Sequence, residues 1–544
     1  MASPGGTKEV HMRITHHSVV LGLTLALAGG ALAACGSSNG NSGSNGVTTS
    51  YVDGKTFTLA LGSDPGALDP QGAAGSALIQ LSTFAYDSLV AVNSKTGSIE
   101  PQLAKSWKVH GTTVTFDIGS GITCSDGSTF TAKTVVDNVS YVENPKNKSP
   151  FLGVFIPAGA TAKASGSTVT LKLPTAAPFV LNSISNLPMV CESGMKNRAS
   201  LASHTDGTGP YVLTKATPGV EYVYKVRRGY TWGPAGAATS AKGTPAEIDV
   251  KIVANETTAA NELLAGALNA VQVLGPDAAR LKGAGLTSVD TTIVIGEQWY
   301  NHAAGHLTSD PAVRKALTEG VDYAELAKVL TSGKGTAATQ LAAQPPTGCT
   351  GNSVSGNVPA FNVNAAKAAL DADGWKVGPG GVRVKGGKEL KLTFLYDSAL
   401  GTGGSAAAQL AVSRWKALGV DVTSSGLSTT QMSSPLFGTG NWDIAWEPIN
   451  VSTPDQLVPI LSGTPAPNGT NFSHLDNAAY SAGVAKATTE TGATGCADWL
   501  GAESSLFKAA DLVPFANKLI PTFAKGATFS IGSELIPTSF RMLG

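Results

Sequence analysis

Two histidines have a spacing that could serve chemistry. His302 and His306 stand four residues apart in NHAAGH, and on a helix both imidazoles would share one face and could bind a metal ion. We interpret them instead as a surface or hinge pair without metal. The sequence contains no GxSxG, HExxH or GxxxxGK[ST] motif, which are the signatures of a serine nucleophile, a zinc hydrolase and a phosphate loop. The residue patterns therefore predict no enzyme, no metal site and no cofactor.

The first cysteine follows a segment typical of protein export. Residues 18–34 are seventeen residues without a charge, preceded by Lys8 and Arg13, as in the apolar and basic regions of a signal peptide. As a helix they would span about 25 Å, less than the roughly 30 Å core of a bilayer. LAAC at 32–35 resembles a bacterial lipoprotein signal, with Met12 as an alternative start. We predict cleavage before Cys35, acylation of its thiol and location on the extracytoplasmic face of the cell membrane.

The composition excludes two classes of protein. The 544 residues carry 38 basic and 38 acidic side chains, and a zero net charge argues against a nucleic-acid partner bound by phosphate neutralisation. The chain is 42% hydrophobic without a charge excess, which argues against general disorder. Its 64 Gly and 29 Pro residues indicate many turns between elements of structure.

Periodic patterns indicate that strands alternate with helices. Apolar residues recur at every second position in 57–61 and 114–118, as in strands with one buried face. Asp310 before Pro311 predicts an N-cap and the first position of a helical run through PAVRKALTEGVDYAELAKVL. A second helix, SAAAQLAVSRWKAL, ends at Gly419 and is followed by the strand-like VDV. This succession predicts an α/β protein.

Eight sequence segments, spread from residue 58 to residue 446, together carry a recognisable pattern. They are TLALGSDPGALDPQ (58–71), AYDSLVAVNSKTGSIEPQLAKSW (85–107), TVTFDIGSGITCSDGSTFTAKTVV (113–136), GTGPYVL (207–213), SDPAVRKALTEGVDYAELA (309–327), ADGW (372–375), LGVDV (418–422) and NWDIAW (441–446). Together, and behind a lipoprotein signal, they resemble the family 5 extracellular solute-binding proteins, the peptide- and nickel-binding components of ABC importers. The resemblance covers nearly all of the mature chain.

The resemblance implies an α/β, two-lobed periplasmic-binding-protein-like fold with a hinge and an extra subdomain inserted in the first lobe. The implied parts are a lipoprotein signal peptide (1–34), a lipid anchor and flexible tether (35–54), lobe I (55–95, 205–297 and 519–544), the inserted subdomain (96–204) and lobe II (298–518). The chain would cross the hinge near residues 297–302 and again near 519–525. Closure of such lobes would enclose a ligand between them.

Four cysteines remain beyond Cys35. An even number in an exported protein favours two disulfides over free thiols or a metal site. Three pairings are possible. We prefer Cys124–Cys191 and Cys349–Cys496, because each pair then lies within one implied domain.

The resemblance also indicates where a ligand would bind. In the peptide-binding relatives, an aspartate shortly after a tryptophan-containing strand anchors the ligand's amine. The corresponding segment here is NWDIAWEPINVSTPDQL, and the anchoring position falls near Ser452. Either Glu447 or Asp455 takes over this role, or the ligand lacks a free ammonium. The other candidate cleft residues are Tyr86, Trp299, Tyr300, Trp446, Asn450 and Asn471, although each aromatic side chain could instead belong to the core.

These features together predict an extracytoplasmic substrate-binding lipoprotein of an ABC importer. It would act as a monomer, capture oligopeptide or dipeptide-like solutes in an interlobe cleft and deliver them to permease and ATPase subunits. A nickel chelate or another non-peptide solute is an alternative ligand, and presentation of ligand to a signalling kinase is an alternative role. A lipoprotein hydrolase is an alternative from another class, against which the missing nucleophile motif counts.

Overall fold

Strands and helices alternate along the chain. The structure, a computed structural model, describes residues 50–73 and 75–544, so the predicted signal peptide, Cys35 and most of the tether lie outside the described residues. The strands within those residues are β1 (Thr56–Leu61), β2 (Val90–Val92), β3 (Ile99–Pro101), β4 (Ala104–His110), β5 (Thr113–Ile118), β6 (Thr161–Ser165), β7 (Thr168–Lys172), β8 (Tyr211–Thr217), β9 (Glu221–Val226), β10 (Glu247–Ile252), β11 (Ala270–Gln272), β12 (Thr287–Tyr300), β13 (Gly335–Thr336), β14 (Lys376–Val377), β15 (Arg383–Lys385), β16 (Lys388–Glu389), β17 (Lys391–Asp397), β18 (Asp421–Leu427), β19 (Ile444–Trp446), β20 (Leu512–Ala524), β21 (Ala527–Thr528) and β22 (Arg541–Met542). The α-helices are α1 (Ser76–Ala85), α2 (Ala132–Glu143), α3 (Val180–Ile184), α4 (Glu192–Lys196), α5 (Glu256–Ala265), α6 (Asp277–Gly283), α7 (Pro311–Glu319), α8 (Tyr323–Leu330), α9 (Val363–Ala372), α10 (Gly401–Lys416), α11 (Thr429–Ser434), α12 (Val458–Leu461), α13 (Ala478–Ala487) and α14 (Cys496–Lys508).

A mixed sheet of eleven strands connects the two halves of the chain. Its order is β18-β17-β19-β12-β20-β11-β1-β10-β9-β8, and β13 pairs with β20. Strand β17 runs parallel to both β18 and β19, and β1 runs parallel to both β10 and β11. The long strands β12 and β20 pair antiparallel between these two parallel groups. The sheet is therefore two α/β halves joined by one pair of long strands.

The long pair has one irregularity, at Gly296. The register between β12 and β20 shifts on both sides of this residue, one position before the crossing predicted at 297–302. A Cβ at Gly296 would lie 2.7 Å from the ring of Phe515 and 2.8 Å from the Cβ of Ala516. Only glycine permits this close approach of the two strands.

A second sheet has a hydrophobic core of its own. Strands β4-β5-β7-β6 form four antiparallel neighbours, and the predicted alternation in 114–118 is confirmed because Val114, Phe116 and Ile118 of β5 are buried. They pack with α2 and other buried side chains between Leu89 and Cys191. This core coincides with most of the predicted inserted subdomain, whose boundaries stay predictions.

The predicted helix start at Asp310 is confirmed. The Ala312 N–H donates to Asp310 Oδ1 at 2.9 Å, and Pro311 occupies the first helical position. The predicted helical run is two helices, because α7 ends at Glu319 and α8 begins at Tyr323. Gly320 lies between them, where a Cβ would be 2.4 Å from the Leu418 side chain.

Both preferred disulfides are present. Cys124 pairs with Cys191, and Cys349 pairs with Cys496 at the start of α14. The second bond fixes the segment around residue 349 to a helix that is distant in sequence. Among the described helices, none has both the length and the apolar character needed to cross a bilayer.

Candidate ligand-binding cleft

A cavity of ≈ 620 Å³ lies among segments that are far apart in the sequence. Its volume falls in the range of about 300–1,000 Å³ that is typical of small-molecule sites. The lining residues lie within 70–102, 151–188, 210–234, 344–346, 450–456 and 530–539. The segment 450–456 follows β19 in one half of the large sheet, whereas 210–234 extends from β8 and β9 in the other. The cavity therefore has walls from both halves.

Tyr86, one of the predicted cleft residues, lines the cavity directly after the last residue of α1. Its hydroxyl oxygen accepts a hydrogen bond from the Asp206 N–H at 3.1 Å, and burial raises the pKa of the phenol. The GTGPY segment passes against the same helix end. A Cβ at Gly209 would lie 2.4 Å from the carbonyl carbon of Ala85, so glycine is required there. This contact fixes the position of Tyr86 in the wall.

Asp87, also in the wall, is saturated with hydrogen bonds. Its carboxylate accepts from Gln102 Nε2 at 2.7 Å, the Tyr230 hydroxyl at 2.8 Å, the Thr208 hydroxyl at 2.9 Å and Trp232 Nε1 at 3.1 Å. Burial raises the pKa of Asp87, and these four donors oppose that rise. The carboxylate therefore ties the lining residues Gln102 and Tyr230 to Thr208 and Trp232 and has little remaining capacity for a ligand.

Asn450 and Ser452, two of the predicted cleft residues, line the cavity in the segment that follows β19. The Val294 N–H donates to Asn450 Oδ1 at 2.8 Å, and Asn450 Nδ2 donates to the Val294 carbonyl at 3.1 Å. This pair of bonds holds the 450–456 segment against β12. The Ser452 N–H donates to Gln456 Oε1 at 3.1 Å. Asn450 is thus a positioning residue, whereas no hydrogen bond of the described structure occupies the Ser452 hydroxyl.

The two acidic side chains predicted to replace the amine anchor, Glu447 and Asp455, are not among the residues lining the cavity. Asp455 accepts a hydrogen bond from the Thr453 hydroxyl at 2.5 Å, and burial raises its pKa. Burial also raises the pKa of Glu447 to about 7, and its Oε2 is buried without a hydrogen bond. The structure therefore brings Ser452 to the cavity but neither acid.

The other predicted cleft residues are side chains of the protein core. Four of them are almost fully buried and absent from the cavity wall: Trp299, Tyr300, Trp446 and Asn471. Trp446 Nε1, for example, donates to Gln298 Oε1 at 3.1 Å. Their size and polarity suit a core as well as a cleft, so residue type alone did not distinguish the two.

The two histidines do not act as a pair. They lie outside any helix, so the spacing does not place them on one helical face. His302 Nε2 is 3.1 Å from the backbone oxygen of Asp511, and His306 Nδ1 is 2.9 Å from Asp443 Oδ1. Burial lowers the pKa of His302 to about 4. Across residues 50–73 and 75–544, no group of three or more His, Cys, Asp or Glu side chains is arranged to hold a metal ion.

Sequence reasoning missed the charged groups of the wall. Besides Asp87, the lining residues include Glu100, Glu534 and Lys95. Glu100 accepts from Asn93 Nδ2 at 2.7 Å, and Lys95 is exposed. Glu534 lies in SIGSELIP, and an acid in a Gly/Ser turn is the only local signal that could have indicated it.

Comparisons with known proteins agree with this architecture. Residues 98–467 match the family model described as "Bacterial extracellular solute-binding proteins, family 5 Middle". The chain is 27% identical over 359 residues to Protein XP55 of Streptomyces lividans, a match that covers 63% of this chain and 62% of the relative. The chain therefore spans less than two thirds of the length of this curated relative.

Two solved structures show the same fold. The periplasmic murein tripeptide-binding protein MppA, in its unliganded open form, has a TM-score of 0.73 at 22% identity, covering 91% of this chain and 99% of MppA. The oligopeptide-binding protein AppA of Bacillus subtilis, in complex with a nonapeptide, has a TM-score of 0.65 at 17% identity, covering 91% of this chain and 100% of AppA. The predicted α/β periplasmic-binding-protein fold, with additional antiparallel sheets, is confirmed. This chain belongs to the bacterial extracellular solute-binding proteins of family 5, a family of binding proteins and not of enzymes.

Proposed function

We propose that this protein is the extracytoplasmic binding component of an ABC importer and that it captures short peptides in the cavity. The observation that carries the proposal is the ≈ 620 Å³ cavity with walls from both halves of the joined sheet. Its volume suits a ligand of the size of a small drug molecule. We infer a dipeptide or a similarly short peptide as the solute.

The chemistry of the wall is suited to a peptide backbone. Most polar lining groups are neutral hydroxyl and amide side chains, and those that make no hydrogen bond within the described part of the chain are the side chains of Ser94, Asn182, Ser183, Gln344, Ser452, Ser530, Ser533 and Thr538. Hydroxyl and amide groups both donate and accept hydrogen bonds. A peptide backbone presents one donor and one acceptor at almost every residue. Such a wall can bind peptides with little dependence on their side chains.

The two long strands provide a means of closure. Strands β12 and β20 are the connection between the two parallel groups of the sheet, and the register shift at Gly296 interrupts their pairing. Bending there would bring 450–456 towards 530–539, a hinge closure of the kind known in periplasmic binding proteins. The closed form would then be recognised by the permease, while lipid on Cys35 holds the protein at the outer face of the membrane.

Thermal unfolding with a set of di- to pentapeptides tests the peptide assignment. A peptide at a hundred times its Kd is expected to stabilise the protein by about 2.7 kcal/mol. Ser452→Trp places an indole in the cavity and is expected to reduce the shift strongly. Ser165→Trp is the matched control, because Ser165 is exposed at the end of β6.

The possible outcomes test separately which solute the protein binds and whether the solute binds in the cavity. Absence of a shift with every peptide would refute the peptide assignment. A shift that appears only with nickel and free histidine would identify a metal chelate as the solute. An equal shift in the wild type and Ser452→Trp would show that peptides bind outside the cavity.

A further inference from the structure

Glu534 occupies a rigid position in the cavity wall. It lies in a hairpin closed by a bridge between Ile531 and Leu535 and by the Gly532 N–H donating to the Glu534 carbonyl at 2.8 Å. The buried side chain of Gln80 in α1 fixes this hairpin. Its Oε1 accepts from the Leu535 N–H at 2.9 Å, and its Nε2 donates to the Leu535 carbonyl at 3.3 Å.

The carboxylate of Glu534 differs from the other acids of the wall because it has no partner. Asp87 accepts four hydrogen bonds, and Glu100 accepts one from Asn93. Within the described part of the chain, neither a donor nor a cation contacts the Glu534 carboxylate, and burial is the sole cause that raises its pKa, to about 8. Among the described lining residues, Lys95 is the one with a positive charge, and it forms no ion pair with Glu534.

An unpartnered carboxyl group of this kind is suited to a positively charged ligand. Removing a carboxylate from water is costly unless a counter-charge and hydrogen-bond donors replace the water. An ammonium group supplies three donors and a positive charge, and a guanidinium supplies five donors and the same charge. Hydrogen bonds between such ions are about twice as strong as those between neutral groups.

We propose that Glu534 is the counter-charge for a cationic nitrogen of the ligand, either the α-ammonium of a peptide or the cation of a lysine or arginine side chain. This inference rests on the proposed function, since it assumes that the cavity holds the solute. Ser452, at the position where the resemblance implies an acidic anchor, is neutral and cannot provide that charge. Glu534 provides it from the C-terminal segment instead.

Calorimetric titration with three peptide pools of equal length tests the proposal. The first pool has free N-termini and no basic residue, the second is the same pool N-acetylated, and the third is N-acetylated with one lysine per peptide. The wild type is expected to bind the first or the third pool about 10- to 100-fold more tightly than the second, the range expected for a hydrogen bond between charged groups. The pool that binds identifies the α-ammonium or the side-chain cation as the source of the charge.

Two variants isolate the role of Glu534. Glu534→Gln keeps the shape of the side chain and is expected to bind the cationic pools only as tightly as the neutral pool. Glu389→Gln removes the same charge from an exposed strand outside the cavity, and its affinities are expected to equal those of the wild type. Titration at pH 7 in two buffers of different ionisation enthalpy measures the number of protons released on binding. Pairing with a cation ionises Glu534 and releases a proton, so this release is expected in the wild type and not in Glu534→Gln.

The results distinguish the two proposals. If Glu534→Gln binds the cationic pools as tightly as the wild type and releases the same number of protons, the role of Glu534 is refuted and the peptide-binding function stands. If the wild type binds none of the three pools, the peptide-binding function falls and the role of Glu534 falls with it.

Discussion

Truncation of Phe179 is expected to weaken ligand binding by favouring an open cleft. Phe179 immediately precedes α3 in the predicted inserted subdomain, and its side chain is only 1% exposed. Its ring lies 6.1 Å, between centroids, from that of Trp499, and a Cβ at Gly348 would be 2.9 Å from it. The carbonyl of the preceding Pro178 accepts from the Gly492 N–H at 3.0 Å. All of these partners belong to predicted lobe II.

The size of the effect follows from the buried ring. Full burial of a phenylalanine side chain contributes about 1.5–3 kcal/mol relative to exposure. If the lobes separate, the ring loses its lobe II partners, so this contribution favours only the closed form. Phe179→Ala would then lower the closed-to-open ratio by a factor of roughly 10 to 150, at about 1.4 kcal/mol per tenfold. The Kd of a ligand that binds only the closed form should rise as the closed fraction falls, by up to a similar factor.

Calorimetry and small-angle X-ray scattering on the same samples measure this effect. With a peptide that the wild type binds, Phe179→Ala should show the higher Kd and, without ligand, a larger radius of gyration. Phe361→Ala is the control, because Phe361 is 47% exposed and should leave both quantities unchanged. Wild-type affinity and scattering in Phe179→Ala would refute the assignment of this contact to the closed form. A lower Tm with unchanged affinity would show that Phe179 is only a core residue.

Three further variants test individual parts of the structure. Gly209→Ala places a Cβ 2.4 Å from the backbone of Ala85 and should lower the unfolding free energy, measured by urea denaturation, by about 1–3 kcal/mol. An unchanged unfolding free energy would contradict the close packing of this segment on α1. Glu297 is fully buried, and burial raises its pKa to about 8. Its contribution to the unfolding free energy is therefore fully present below pH ~4.5 and is lost as the pH rises towards 8. Glu297→Gln should therefore reduce the fall in unfolding free energy between pH 5 and pH 8 by on the order of 3 kcal/mol, and an unchanged pH dependence would contradict the burial of this carboxyl. Replacing Cys349 and Cys496 together by serine opens a link between residues 147 positions apart and should cost about 3–5 kcal/mol in the same urea assay, whereas a loss below 1 kcal/mol would contradict a stabilising role.

Local features of the sequence predicted local features of the structure. The cap at Asp310 and the strand at 114–118 depend on a few neighbouring residues, so residue order was sufficient. Division of the helical run after Glu319 also has a local signal, because Gly320 is the C-cap of α7 and Asp322 caps α8 by accepting from the Ala324 and Glu325 N–H groups. The close approach of Leu418 to Gly320 has no such signal, because it joins residues far apart in the sequence.

The cavity wall was predictable only in part for the same reason. Tyr86, Asn450 and Ser452 line the cavity. Large aromatic side chains such as those of Trp299 in β12 and Trp446 in β19 are instead buried in the hydrophobic core. Glu534 reaches the wall because Gln80, 454 positions earlier in the chain, holds the neighbouring backbone. Nothing in the residues around Glu534 reveals that partner.

A crystal structure of the protein grown with a peptide pool that it binds would test the central claim most directly. We expect peptide density in the ≈ 620 Å³ cavity, between the segments 450–456 and 530–539, with a cationic nitrogen at about 2.7–2.9 Å from the Glu534 carboxylate. Peptide density at another surface, with this cavity empty, would contradict the assignment of the cavity as the ligand-binding site.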